Sequence, residues 1–455
     1  MKHFKLRITQ KKAISIFCLG ILSPIFSDAQ SLEQAVAYSL NTHPDIRAAY
    51  TSFKVDEKQI DQAKSGYLPS VDLSGGIGLE YTDSPSTRNG TDDDDTESLV
   101  RRELGISLRQ NLFSGFHTSS EVDRTSYAAF AEKWRLYGKA EDLALEVSKV
   151  YVGLIEAQKL VGLSEKNLAS HQKIYDQIKQ RTDAGFGSSA DLSQINGRLA
   201  NAQSNLIAAK NNYLDSKVKF YRVIAQEPND LIIPSPDASM LPKSEEEGLQ
   251  VALKNHPVIQ AAAEDISSAQ AQYESSKSTF YPNVSLELDA SMDNNLDGTE
   301  GEYNEAVAML RFTYNIYAGG KHVGYAKESA YKINQAKDLN LSAFRQVQEG
   351  FILSWNAFEL LNLQKKYIRQ HVVSSKNTQS NYQQQFKIGQ RSLLDLLDTE
   401  NELYQSRRDF LTAEFDEITA QYRILHSMGL LIDSLRVTRP KEWEGEDKLV
   451  RGDAK

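Results

Sequence analysis

Cysteine is nearly missing: one residue, Cys18, in a chain of 455. It lies within an N-terminal apolar run, after Phe17, which is a poor setting for lipidation. With that run removed there would be no cysteine left, and so no disulfide, thiolate metal site or lipid anchor. Histidine is scarce too, with eight scattered residues and no spacing such as His-Glu-x-x-His. Gly75-Gly76-Ile77-Gly78 comes nearest to a phosphate-cradling loop, but it sits inside an alternating strand pattern and no helix follows it. The sequence therefore offers no catalytic constellation, no metal site and no cofactor site, and an enzyme is not expected. Basic residues are outnumbered 52 to 61, giving a formal net charge of −9. Such a surface is poorly suited to neutralising phosphates, so nucleic acid is not an expected partner. Beyond the N-terminal run, no apolar stretch reaches the ~20 residues of a membrane-spanning helix. If the chain enters a bilayer, it must do so as a β-barrel.

At the N-terminus, Lys2, Lys5, Arg7, Lys11 and Lys12 precede the apolar run from Ala13 to Phe26, and Ser27-Asp28-Ala29 supplies small residues at the peptidase positions. Residues 1–29 read as a secretory signal peptide cut before Gln30. Its removal would take five bases and one acid from the totals of 52 and 61, leaving a charge of −13.

The rest of the chain repeats itself. Gly115 in Leu112-Phe113-Ser114-Gly115 has a counterpart in Gly319 of Ile316-Tyr317-Ala318-Gly319, 204 residues on, and the same spacing relates Gly185 to Gly389 and Asp191 to Asp395. Upstream, His43-Pro44 recurs as His256-Pro257 and Pro69 as Pro282, both at a spacing of 213. The first copy therefore carries a nine-residue insertion between Pro69 and Leu112. The organisation expected is a first repeat at 30–225, a linker at 226–244, a second repeat at 245–430 and a tail at 431–455.

Each repeat opens with helical sequence broken at the His-Pro pair. Pro44 suits a first helical turn, Asn41 or Thr42 can cap it, and His43 reads as a turn residue. Alternation follows. Val71, Leu73, Ile77, Leu79 and Tyr81 share one face of a hairpin over about 70–112, and Val284, Leu286, Leu288, Ala290 and Met292 repeat the pattern over about 284–316, where the return strand is expected to run to Ile316. The second hairpin loop is expected near Asp293 to Tyr303. Apolar-out, polar-in alternation with aromatics at the strand ends (Tyr67, Phe113, Phe116, Phe280, Tyr281, Tyr317) fits a transmembrane barrel. Four strands cannot close, and an open edge in lipid leaves backbone groups unpaired, so several chains must share one barrel. Two chains would give eight strands and a filled interior, whereas three give twelve and room for a lumen. Asp92 to Asp95, in the first hairpin loop, lack the ordered ligand pattern of a calcium site and read as a solvated exterior loop.

Heptad-like spacing marks what comes next. Leu143, Val147, Val150, Leu154, Ala157 and Val161 continue to Ile178, and a returning arm begins near Leu192. The two long helical hairpins are expected at about 115–225 and 320–430, with outgoing arms from His117 to Arg181 and from Lys321 to Gln385, each ~100 Å at 1.5 Å per residue. Thr182-Asp183-Ala184-Gly185 and Phe386-Lys387-Ile388-Gly389 mark the two reversals, each glycine six residues before an Asp-Leu.

Taken together, the signal peptide, the doubled helix, β-hairpin and long helical hairpin, the His-Pro landmarks, Leu-Phe-Ser-Gly and the Gly-x5-Asp-Leu turns resemble the TolC family of outer-membrane export channels, across essentially the whole mature chain. The resemblance implies a mixed α and β membrane protein: a homotrimer with a shared twelve-stranded β-barrel in outer-membrane lipid, continued by an α-helical coiled-coil barrel in the periplasm of a Gram-negative bacterium. It also implies a periplasmic adaptor (membrane fusion) protein and an inner-membrane ABC or other transporter as partners. Gly66 to Val71 and Leu79 to Pro85 look most like the agglutination-protein branch, linked to type I secretion of large adhesins. A small-molecule (multidrug) efflux duct of the same architecture and a periplasmic coiled-coil scaffold are the alternatives.

The resemblance carries over to the second reversal. Asp395 and Asp398 match the family's periplasmic aperture acids, three residues apart and so on one helix face. Arg391 matches the residue that latches the closed state and Asp191 its acidic partner, while Phe386 stands where the family often has tyrosine. Gly185 and Gly389, in the turns, are the positions for adaptor contact. The plain alternative is that Asp191, Asp395 and Asp398 are acids favoured by the first turns of their helices.

Overall fold

The computed structural model of the chain describes residues 29–85, 87–89 and 96–445. The expected signal peptide, the Asp92–Asp95 segment and the last ten residues lie outside the described residues, apart from Ala29. Helices α1 (Leu32–Thr42) and α2 (Pro44–Lys64) lead into strands β1 (Ser70–Thr82) and β2 (Glu97–Phe113), then into α3 (His117–Asp183) and α4 (Ser189–Ile224). The order repeats as α5 (Glu245–Asn255), α6 (Pro257–Lys277), β3 (Asn283–Leu296), β4 (Thr299–Thr313), α7 (Lys321–Lys387) and α8 (Leu393–Ser427), followed by the single turn α9 (Leu431–Ser434).

His43 and His256 are themselves the N-caps of α2 and α6, their Nδ1 atoms accepting from the backbone N–H groups of Asp45 and Val258 at 3.3 Å. Asn41 and Thr42 do not cap α2. Their side chains donate back to the carbonyls of Ala37 and Tyr38 and close the end of α1 instead. A proline at the first helical position leaves the histidine ring as the nearest acceptor for the free N–H groups of the first turn.

The four strands form one antiparallel sheet in the order β1-β2-β3-β4, with β1 and β4 as its edges. Val71, Leu73 and Ile77 share a face with Leu104, Ile106, Leu108, Leu288, Ala290, Ala308 and Leu310, and many of these side chains are exposed in the single chain. The opposite face carries Asp72, Arg101, Glu103, Arg109, Glu287, Asp289 and Arg311, where Arg311 donates to Glu287 at 2.5 Å. The second hairpin departs from expectation at both ends. Its connection is the two-residue turn Asp297-Gly298, both residues at positive φ, so the strands run on through 293–296 and 299–303. β4 also stops at Thr313, opposite Asn283 where β3 begins, because an edge strand with one neighbour cannot extend past it. β2, which lies between β1 and β3, bulges at Leu112, between Asn111 and Phe113, and still pairs at Phe113.

α3 and α7 are 67 residues each, ~100 Å long. The main core lies between the sheet and the hairpin tips, where Phe53, Tyr151, Phe220, Phe351 and Tyr422 are almost wholly buried among α1, α2, α3, α4, α5, α7 and α8. A second, separate apolar cluster of Ile174, Ile178, Ile195, Leu393, Leu396 and Leu397 sits at the helix reversals. The tips of the two long hairpins therefore pack on one another, far from the rest of the core.

Candidate functional site

The two reversals share one backbone design. Gly185 and Gly389 have φ of +79° and +80°, and the next residue donates back five positions, Phe186 to Arg181 at 2.8 Å and Gln390 to Gln385 at 2.9 Å. Such a left-handed C-terminal turn satisfies the helix's last carbonyls and needs a residue free of Cβ strain. Each return helix then starts on a serine: Ser188 Oγ accepts from Ala190 N–H, and Ser392 Oγ from Asp395 N–H.

Asp395 completes a capping box. Its carboxylate accepts from the Ser392 hydroxyl at 2.9 Å and the Ser392 backbone N–H at 3.2 Å, and these bonds, with Arg391 nearby, hold it below the usual carboxylate range. Its placement is therefore explained by the helix start. Asp398 is not a cap. It accepts from Arg198 Nη2 at 2.7 Å, an ion pair joining α8 to α4 of the other hairpin, and it is more than half exposed. The sequence reading did not single out Arg198.

Arg391 and Asp191 are not brought together within the chain. The Arg391 guanidinium lies 4.3 Å from the centre of the Tyr382 ring, its Nε donates to Gln385 Oε1 at 3.1 Å, and its distance to Asp395 is 4.0 Å. Asp191 is half-buried and has no hydrogen-bond or ionic partner among the described residues. Phe386 packs against the tip cluster with the Arg181 guanidinium 6.0 Å from its ring centre. The aromatic ring facing Arg391 thus comes from Tyr382, one turn earlier. Phe186 and Ile388 project from the turns, 88% and 69% exposed.

Among the described residues no helix is long and apolar enough to cross a membrane, and no group of three or more His, Cys, Asp or Glu is placed to hold a metal. A sheet with one apolar and one charged face, open at both edges and continued by ~100 Å helices, defines a duct that spans an outer membrane as a shared barrel and reaches into the periplasm. The chain belongs to the outer membrane efflux protein family, whose model matches residues 36–226 and 248–430. It is 23% identical over 402 residues to the outer membrane efflux protein BepC of Brucella suis, covering 88% of this chain and 86% of that one. It is also 20% identical over 430 residues to the alkaline protease secretion protein AprF of Pseudomonas aeruginosa, covering 91% and 88%. The fold superposes on the Campylobacter jejuni CmeC outer membrane channel with a TM-score of 0.75 at 15% identity, over 97% of this chain and 96% of that one. The protein is an outer-membrane export channel, not an enzyme. Channels of this family are homotrimers that work with a periplasmic adaptor and an inner-membrane transporter.

Proposed function

We propose that this channel is the exit duct of a type I secretion system for a large protein such as an adhesin. The observation that carries this reading is the resemblance of Gly66 to Val71 and Leu79 to Pro85 to the agglutination-protein branch; the two segments lie at either end of β1. The name of AprF, a secretion protein, is in keeping with it. Small-molecule efflux is the second reading, favoured by the name of BepC. Deleting the gene and measuring both surface-displayed protein and drug sensitivity separates the two. Loss of the surface protein with unchanged drug sensitivity supports secretion; the converse rejects it.

At the periplasmic mouth, Asp395 and Asp398 of three chains form the aperture, and Arg391 and Asp191 latch neighbouring chains. What supports a latch between chains is that Asp191 has no partner among the described residues of its own chain and that the partners of Arg391 are local, Gln385 and Tyr382 being uncharged and Asp395 4.0 Å away. Gly185 and Gly389 shape the tips that an adaptor would meet. In planar bilayers Arg391→Ala and Asp191→Ala should each raise single-channel conductance, and wild-type conductance in both would remove the latch.

A further inference from the structure

Residues 101 and 102 are consecutive arginines on β2 and so point to opposite faces of the sheet. Arg101, on the charged face, is fully engaged: it pairs with Glu80 at 2.9 Å and Asp297 at 3.3 Å, and with Glu103. Arg102 lies on the apolar face, opposite Ile77 on β1 and Asn294 on β3. It is exposed, and no carboxylate among the described residues pairs with it. Glu302, the other charged side chain of that row, is on β4 next to Asn294, two strand spacings or ~10 Å away.

Its level in the bilayer follows from the register. Val284, beside Phe113 and Phe312, marks the periplasmic end of the apolar face, and Asn294 lies ten residues further along β3. At ~3.4 Å per residue and a strand tilt of ~40°, that is about 26 Å of height, the full thickness of a barrel's apolar band. Arg102 therefore stands at the outer edge of the band. On β1 and β2, Leu79 with Val100, and Tyr81 beyond them, continue the face past it. A guanidinium at the bilayer midplane is strongly disfavoured, but one at the edge snorkels into the headgroups at little cost.

We propose that Arg102 is a lipid-binding site, holding a phosphate of an outer-leaflet glycolipid against the barrel wall. The guanidinium fork matches a phosphate's oxygens, and the exposed apolar side chains of Ile77, Leu104 and Ile106 beside it take the acyl chains. The three chains of a trimer provide three such sites around the barrel.

Native mass spectrometry of the detergent-solubilised trimer tests this with lipid A bisphosphate, its fully dephosphorylated form and inorganic phosphate as separate probes. The wild type should bind the bisphosphate up to three per trimer, Arg102→Ala at least ~10-fold more weakly, and Arg102→Lys in between, because a lysine keeps the charge but not the fork. Equal affinity of the wild type and Arg102→Ala overturns the site. Should Arg102→Ala fail to assemble, the wild type still decides, since equal binding of the dephosphorylated lipid overturns it too. Displacement of the bisphosphate by inorganic phosphate at matching concentration would reassign the site to the free anion and overturn the lipid assignment.

Discussion

Glu141, on α3, is 2% exposed, and its carboxylate holds the C-terminal segment in place. It accepts from the backbone N–H of Leu431 at 2.9 Å, from that of Ile432 at 3.4 Å and from Arg439 at 3.2 Å. Burial opposes the charge and outweighs these donors, with Arg439 and His426 the main favourable charges, so its pKa is pushed up to about 7 from 4.5. The folded state therefore binds the proton more tightly than an opened state does. The stability it contributes is complete below pH 4.5 and is lost as pH rises to about 7. At about 1.4 kcal/mol per unit, the total is on the order of 3 kcal/mol. His256 works the other way. Burial, with His426 next, drives its pKa down to about 4 from 6.5, so its share is lost as pH falls through that range. An opening that exposes both groups is thus nearly pH-independent between about 4.5 and 6.5 in the wild type, and the two contributions show only by difference. The perturbation is Glu141→Gln, which keeps an acceptor but cannot ionise. Hydrogen exchange at the Leu431 and Ile432 amides, corrected for intrinsic rates, should give a wild-type minus variant opening free energy that falls by about 1.4 kcal/mol per pH unit from 4.5 to 7 and then levels. A difference that is flat, or that rises with pH, refutes the reasoning.

Arg198→Ala frees the Asp398 carboxylate and removes an exposed ion pair worth ~0–1 kcal/mol, so block of the channel by multivalent cations should strengthen while trimer stability barely changes. Replacing Asp395 and Asp398 together by Ala should abolish that block, and unchanged block in planar bilayers would take both acids out of the aperture. The same double variant also loses the Asp395 arm of the α8 capping box while Ser392 still caps, which should cost less than ~1 kcal/mol and show as faster amide exchange at Ser392. Gly248→Ala should destabilise by ~1–3 kcal/mol, because a Cβ there meets the ring of Phe351, which is fully buried, and Pro242 Cγ at 2.9 Å. A lower temperature of trimer dissociation on gels would register it.

The strand faces and the long arms were legible because they rest on local periods. Alternation with period two fixes which side chains share a face, and the heptad spacing from Leu143 onward marks a sustained helix of the kind that α3 and α7 form. Features that depend on a neighbour were not legible. Tyr314 and Ile316 continue the alternation of β4, yet the strand ends at Thr313 because β3 has no residue left to pair with them. Asn41 and Thr42 are good capping types, but His43 lies one residue closer to the free N–H groups. The Ser392-x-x-Asp395 capping box was written in the sequence, with aspartate in the glutamate's place, and it accounts for the position of Asp395 at the helix start.

Arg198 needed a comparison of the copies. At the spacing of 204, Arg198 corresponds to Glu402 and Asp398 to Gln194, so the duplicated hairpins differ in charge where their tips meet. Heptad spacing pairs α3 with α4 and α7 with α8; that α4 reaches α8 is a tertiary fact, set by the tip cluster around Ile195 and Leu397. The backbone of the two reversals is alike and the charges on them are not. One presents Asp191 without a partner among the described residues, and the other presents Arg391 on partners that are exposed or uncharged. Exchanging exposed partners costs ~0–1 kcal/mol each, so three Arg391–Asp191 latches between chains would together hold the mouth by no more than about 3 kcal/mol. A docked partner supplying a few kcal/mol of differential binding could then open it, with no change to the ~100 Å of packed helix above.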